Sequence, residues 1–355
     1  MSLAPPPAGN LCAIGDPHQA IYGFRGADAA CFDRFNRDYP GVTTIGLKRN
    51  YRSGGEIVTA SSQVIARHAD EPIAEIVRER RERITIHAAP TERAEAEFVV
   101  ATIEQAIGGA SFFVIDNGRA GGREVALSFA DFAVLYRTEA QAALLCEALA
   151  RAGIPFRKHS HVPLAQEPSV RAILDALATI AAPDIDLAER LRQSAAAEAG
   201  EAAAIERALQ LLLPLAASCG GDAVRFLDAI ALATDADFWD ARAEGVALLT
   251  LHAAKGLEFA CVFIVGLEDG VLPLHWGKAA DVTSEELAEE RRLFYVGMTR
   301  AKDRLVLSRA LKRLWRGRVQ TQAPSPFLAD IESELLKEQQ STLRRRRDDC
   351  QLKLL

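Results

Sequence analysis

A chain of 355 residues with 49% hydrophobic and 25% charged side chains can bury the cores of two or three domains. Its formal charge of −6 excludes a wholly basic nucleic-acid binder but leaves room for a local basic groove, because binding follows where charge sits. No apolar run approaches the ~20 residues needed to cross a bilayer, and no signal-peptide pattern is present, so a cytoplasmic protein without a membrane partner is expected.

Taken in chain order, Met1 to Pro7 reads as a leader. Leu11-Cys12-Ala13-Ile14 reads as the end of a strand, stopped by Gly15-Asp16-Pro17. Loops that leave strand ends are where open α/β sheets usually place ligand-binding groups. Further strands are predicted at Thr43 to Leu47, Ile84 to Ala88, Phe132 to Tyr136, Val246 to Leu251, Cys261 to Val265 and Leu305 to Leu307. The Gly-rich stretch 108–125 reads as a loop or hairpin. A helix is predicted over Glu139 to Ala152, with Leu144, Leu145 and Leu149 on one face and Gly153 and Pro155 as its stop. Residues 163–244 lose all strand signal and read as helices broken by Gly200 and Pro214. Glu285 to Arg300 is a further helix, and the tail ending in Arg344 to Arg347 reads as a solvated helix end or a disordered tail. The six cysteines show no C-x-x-C pairing, which fits buried thiols in a reducing compartment.

Apolar strands alternating with helices predict an α/β fold with a mainly parallel sheet covered on both faces. Four segments carry more than fold: GDPHQAIYGFRGAD (15–28), LKRNYRSGGEI (47–57), LLTLHAAKGLEF (248–259) with VFIVGLEDGVLP (262–273), and EERRLFYVGMTRAKDRLVLS (289–308). In this order they resemble the later helicase motifs, III to VI, of the UvrD/Rep/PcrA family of superfamily 1 DNA helicases. The resemblance implies a RecA-like, P-loop NTPase-type parallel sheet domain with a helical insertion. It also implies an organisation: 1–40 as the end of a first RecA-like domain, 41–162 with 245–320 as the second, 163–244 as a reduced insertion subdomain, and 321–355 as a tail.

A motor driven by ATP must stabilise charge on the γ-phosphate in the transition state, and a planar, permanently charged guanidinium does this well. The resemblance makes Arg52 and Arg300 arginine fingers reaching a nucleotide held mainly by another domain; taken singly, each arginine would read as a surface ion-pair residue. Gln19 would sense the γ-phosphate. Tyr51 would stack on adenine, with core placement as the alternative reading. Glu258 would accept from the ribose, with Gly256 allowing close approach of the backbone. Tyr22 and Phe24 would stack on single-stranded bases irrespective of sequence, more weakly at Phe24, where several relatives carry Trp. Arg25 would bridge towards the DNA or the nucleotide. Thr250 and His252 would contact the nucleic-acid backbone, although a strand-end His is also often structural. Trp315 stands near another stacking aromatic, and Lys312, Arg313, Arg316 and Arg318 would supply a positive phosphate track.

The pattern G-x-x-x-x-G-K-[ST] is absent, and the one Asp-Glu pair, Asp70-Glu71, runs into Pro72. The expectation is therefore the C-terminal portion of an ATP-dependent DNA helicase or translocase, 3′ to 5′ by resemblance. It would use ATP with Mg²⁺ ligands on the missing N-terminal RecA-like domain, act on single-stranded DNA and single-strand/duplex junctions, and be inactive as an ATPase alone. The competing expectation is a non-enzymatic DNA- or partner-binding module derived from a helicase.

Overall fold

The structure is a computed structural model that describes residues 11–23, 26, 28, 30–66, 75–78, 82–116, 127–159, 164–180, 185–198, 202–233, 244–275, 283–315 and 317–339, without the side chains of 109–116, 203, 232 and 315. Phe24, Arg25, Arg316 and the Arg344 to Arg347 run lie outside the described residues, and Trp315 is described in its backbone alone.

The chain enters through a short 3₁₀ turn, Pro17–Gln19, started by the Asp16 carboxylate accepting from the His18 N–H at 2.9 Å. Helix α1 (Cys31–Asp38) has no buried residue. Strand β1 is only Arg49–Asn50 and pairs in parallel with β2, Glu75–Ile76. Helix α2 (Gly55–Ile65) follows β1 and buries Ile57, Val58, Ala60 and Val64. Strand β3 (Ile84–Thr91) leads into helix α3 (Glu92–Asp116), and β4 (Phe132–Tyr136) leads into α4 (Glu139–Arg151) through a Thr138/Gln141 capping box. Strand β5 (Phe156–His159) opens into four helices, α5 (Pro168–Thr179), α6 (Leu187–Ala197), α7 (Ala202–Ser218) and α8 (Ala223–Leu232). Strands β6 (Val246–Thr250) and β7 (Phe259–Ile264) precede α9 (Ser284–Met298); β8 (Ala301–Trp315), β9 (Arg318–Thr321) and β10 (Leu336–Glu338) close the chain.

The main sheet runs in the order β10-β3-β8-β7-β4-β6-β5, every pairing along that path parallel, with β9 antiparallel to β8. The apolar strands alternate between two cores. Ala133, Leu135, Leu249, Val262, Ile264 and Leu307 face α2 and α9, meeting Ile57, Val64, Phe294 and Phe327. Phe132, Val134, Tyr136, Leu248, Phe263 and Val306 face α3 and α4, meeting Phe98, Val99, Ile103 and Leu149. Helix α9 approaches the sheet closely at Gly297, where a Cβ would stand 2.5 Å from Leu251 Cδ2. The four inserted helices form a third core around Val170, Ile173, Leu191, Leu212 and Phe226.

Several expectations are corrected. Residues 11–14 and 43–47 form no strand, and Ile14 is 87% exposed; a strand needs a ladder, and no described strand pairs with either stretch. Helix α3 runs on through Gly108 and Gly109 to Asp116 where a loop was expected, because a helical Gly costs only about 1 kcal/mol against Ala. Pro214 lies inside α7 and does not break it; the turns around it are held by Ala208, Leu212 and Ala216, all buried in the third core. Of the five described cysteines only Cys261 is buried, while Cys12 and Cys31 are exposed.

Candidate functional site

The anticipated nucleotide residues come together at the amino ends of β7 and β8, not at the carboxyl ends where open α/β sheets usually bind ligands. Arg300 follows Thr299, the C-cap of α9, and directly precedes β8. It is 2% exposed, and its guanidinium donates to Val296 O (3.0 Å), Leu257 O (3.2 Å) and Thr299 Oγ1 (3.1 Å), all neutral acceptors. Val296 O belongs to the last turn of α9, where the helix dipole is negative and a cation is favoured. Burial, and after it the charge of Arg52, pushes Arg300 down to about 10, which leaves it charged at neutral pH.

Arg52 reaches the same place from the other side. Its NH1 donates to Thr299 O at 3.5 Å and its Nε to Glu258 Oε2 at 2.8 Å. Asn50 Oδ1 accepts from the N–H groups of both Arg52 and Ser53 at 3.0 Å, which shapes the turn that carries Arg52. Lys302 Nζ holds the other oxygen, Glu258 Oε1, at 2.7 Å. The hydrogen bond from Lys302, then the charges of Lys302 and Arg52, hold the Glu258 carboxyl below its ordinary range. Tyr51 is 65% exposed, so the core alternative for this ring is wrong. Gly256 sits at φ +89° with nothing within 4 Å of where a Cβ would stand, so a ligand can approach its backbone.

Gln19 is tied to the same cluster. Its Nε2 donates to Asp16 Oδ2 at 2.9 Å, and its carbonyl accepts from Lys255 Nζ at 2.9 Å. Lys255 lies 5.1 Å from the centroid of the Tyr22 ring, and Tyr22 Oη donates to His252 O at 3.2 Å. Burial, then the charge of Arg300, lowers the Lys255 ammonium from its ordinary value. Thr250 is buried, and its Oγ1 accepts from Ala253 N at 3.2 Å, shaping the turn after β6. One turn, 251–257, therefore faces the 15–23 segment and ends at the arginine pair.

Lys255 and Lys302 were missed in the sequence reading. Both stand inside quoted motifs, and the only signal was a cation beside Gly256 and another beside Arg300. Trp315 lies at the far end of β8, roughly 50 Å of extended strand from Arg300. Arg313 cannot serve a phosphate track: it is 4% exposed and engages Glu268 Oε2 at 2.6 Å and Glu95. Burial pulls its guanidinium down, but the charge of Glu95 and the bonds it donates to Glu268 outweigh that and raise it. Lys312 and Arg318 are exposed.

This arrangement suits an anionic ligand with an attached flat ring and polyol: two guanidinium groups converge at Thr299, an exposed tyrosine follows β1, and a carboxylate flanks an open glycine. Among the described residues no three His, Cys, Asp or Glu side chains gather as a metal ion would require, and no helix is long and apolar enough to cross a membrane.

Two family models and several curated proteins match the chain. The model of the UvrD-like helicase C-terminal domain matches residues 45–211 and 221–312, and that of the UvrD/REP helicase N-terminal domain matches residues 3–40. ATP-dependent DNA helicase PcrA of Leuconostoc citreum is 29% identical over 98% of this chain and 56% of its own length. ATP-dependent DNA helicase UvrD1 of Mycobacterium tuberculosis H37Rv is 30% identical over 93% of this chain and 54% of its own. The chain thus spans about half the length of these curated relatives. A solved C-terminal domain of a possible DNA helicase from Lactobacillus plantarum WCFS1 covers 81% of this chain and 98% of its own, at 13% identity and a TM-score of 0.39.

Proposed function

Because the chain belongs to the family of UvrD-like helicase C-terminal domains, we propose that it is the part of an ATP-dependent DNA helicase or translocase that closes over a nucleotide bound to a preceding RecA-like domain. The observation that carries this reading is Arg300, a buried guanidinium bonded to neutral acceptors and set beside Arg52, Glu258 and an exposed Tyr51. A buried charge whose hydrogen bonds all go to neutral acceptors is poised for a mobile anion, and a γ-phosphate is the anion this family handles.

In this reading the second RecA-like domain is 41–162 with 245–320, the helical insertion is 163–244, residues 1–40 close the preceding domain and 321–355 form a tail. ATP with Mg²⁺ supplies the phosphoryl chemistry. Arg52 and Arg300 stabilise charge on the transferring phosphoryl group. Gln19 reports the γ-phosphate to its own segment, Tyr51 stacks on the base, and Glu258 accepts from the ribose beside Gly256. Tyr22, Phe24, Arg25, Thr250, His252 and Trp315 serve single-stranded DNA and its junction with duplex, with movement 3′ to 5′. Lys255 joins the two functions, since it touches the Gln19 carbonyl and the Tyr22 ring at once. The setting is the cytoplasm.

Steady-state ATP hydrolysis with single-stranded DNA tests the reading, run in parallel on this 355-residue chain and on the native polypeptide purified by antibody from the source cell. We expect no turnover by the chain alone and DNA-stimulated turnover by a native polypeptide heavier than 38.5 kDa. Turnover by the chain alone would overturn the division of labour; a silent native polypeptide of 38.5 kDa would favour a non-enzymatic binding module.

A further inference from the structure

Resting on the nucleotide reading above, we propose that Lys302 is a positioning residue of the cleft: it anchors Glu258 while Arg52 exchanges that carboxylate for a phosphate oxygen. Glu258 divides its two oxygens between two cations, Oε2 for Arg52 Nε at 2.8 Å and Oε1 for Lys302 Nζ at 2.7 Å. All three side chains are roughly one-third to two-fifths exposed, so each can turn without disturbing a core.

The backbones that carry Arg52 and Lys302 are bonded to each other. Gly54 N donates to Lys302 O at 2.9 Å, Ser53 Oγ donates to Ala301 O at 2.6 Å, and Arg78 NH1 donates to Arg52 O at 2.7 Å. Any rearrangement is therefore confined to side chains. Apart from Glu258, the Arg52 guanidinium has only a long 3.5 Å contact to Thr299 O among the bonds described, so Glu258 is the acceptor with which a phosphate oxygen competes for it.

When Arg52 leaves, Glu258 Oε2 is vacated and becomes an acceptor for a neutral sugar hydroxyl, while Oε1 stays bound to Lys302. The carboxylate then keeps both its charge balance and its position. Without Lys302, departure of Arg52 would strip Glu258 of its remaining cation, and Arg52 would be harder to recruit. Lys302 thus favours phosphate binding by releasing Arg52, without touching the phosphate.

The test is calorimetric titration of the full-length protein, which includes the preceding RecA-like domain of the reading above, with inorganic tripolyphosphate, which has the phosphates and no sugar, at low ionic strength. Lys302→Met is compared in the Glu258 background and in a Glu258→Gln background. We expect Lys302→Met to weaken tripolyphosphate binding roughly two- to fivefold when Glu258 is present, the scale of a half-exposed ion pair. In Glu258→Gln the same change should have no effect, and Lys302→Arg should restore binding. Equal losses in both backgrounds would mean that Lys302 contacts the phosphate itself, and no loss in either would mean it plays no part; each overturns the inference. Failure of the nucleotide reading looks different: wild-type binding would then be absent or indifferent to Arg52→Gln, and the inference would fall with it.

Discussion

At the scale of single residues, the arginine cluster is governed by how each cation is neutralised. Arg52 has a carboxylate and Arg300 has backbone carbonyls and a hydroxyl. Carbonyl dipoles balance a guanidinium less completely than a carboxylate does, so an incoming phosphate gains more at Arg300. Arg300→Ala in the full-length protein should therefore abolish ATP turnover, a loss of about 10³-fold or more on the scale of arginine fingers, while single-strand affinity by fluorescence anisotropy stays within about twofold. Normal turnover would remove the finger assignment. Tyr22 is more constrained than a free stacking ring, because its hydroxyl is tethered to His252 O and Lys255 sits against its face. Tyr22→Ala should weaken binding to poly-dT and to mixed single strands alike, by ~1–3 kcal/mol if one base stacks there. Tyr22→Phe, which keeps the ring and loses only the tether, should retain most of the affinity; equal loss in both variants would assign the effect to the tether. These residues could be singled out in the sequence because they stand in ordered motifs. Lys255 and Lys302 could not be, because a lone lysine gains meaning only from what folding sets beside it, here the Gln19 carbonyl and Glu258, 236 residues before the one and 44 before the other.

At the scale of elements, the legible strands were those buried on both faces. Phe132 to Tyr136 was placed correctly to the residue and Val246 to Leu251 to within one, since a doubly covered parallel strand must be apolar at every position. Thr43 to Leu47, with two threonines and a glycine, lacks that uniform apolar character and forms no strand, and among the described residues no strand pairs with it. Arg313 shows the same limit for charge. Lys312 and Arg318 nearby are exposed, yet Arg313 is turned inward near the carboxyl end of β8, where Glu95 on α3 and Glu268 after β7 meet it. Those carboxylates are themselves fixed: Glu95 accepts from Ser308 Oγ and Gly266 N, and Glu268 accepts from Ala310 N. The cluster ties a helix, a strand and the 265–275 loop together through one guanidinium. Arg313→Met would leave two buried carboxylates without their cation, and we expect a destabilisation of ~3–5 kcal/mol in urea unfolding. Arg313→Lys should recover only part of it, because an ammonium cannot serve both carboxylates with a planar fork. A change below 1 kcal/mol in Arg313→Met would show that solvent reaches the cluster.

At the scale of the whole molecule, the sheet and the four inserted helices keep separate cores. Leu164, Val170, Leu191, Leu212, Phe226 and Ile230 belong to one; the residues of β6 and β7 belong to the others. The insertion leaves the sheet after β5 and returns at β6, its hydrogen-bonded parallel neighbour, in the register Phe156↔Val246 to His159↔Leu249. A parallel pair cannot be joined by a tight turn, because the chain must travel back along the strand; about a dozen residues suffice for that crossover. The helices exceed this need several-fold, so they are not required to close the sheet topologically. Replacing residues 163–243 with a flexible linker of about 15 residues should therefore leave a folded sheet domain. Its thermal transition should stay cooperative, and the tripolyphosphate response of the full-length protein, attributed to Arg52 and Lys302, should persist, because the cleft lies at the amino ends of β7 and β8 and none of its groups comes from the insertion. Loss of a cooperative transition in this variant would mean that β5 and β6 depend on the helices for their pairing, and that the insertion is part of the sheet domain's fold and not a subdomain placed upon it.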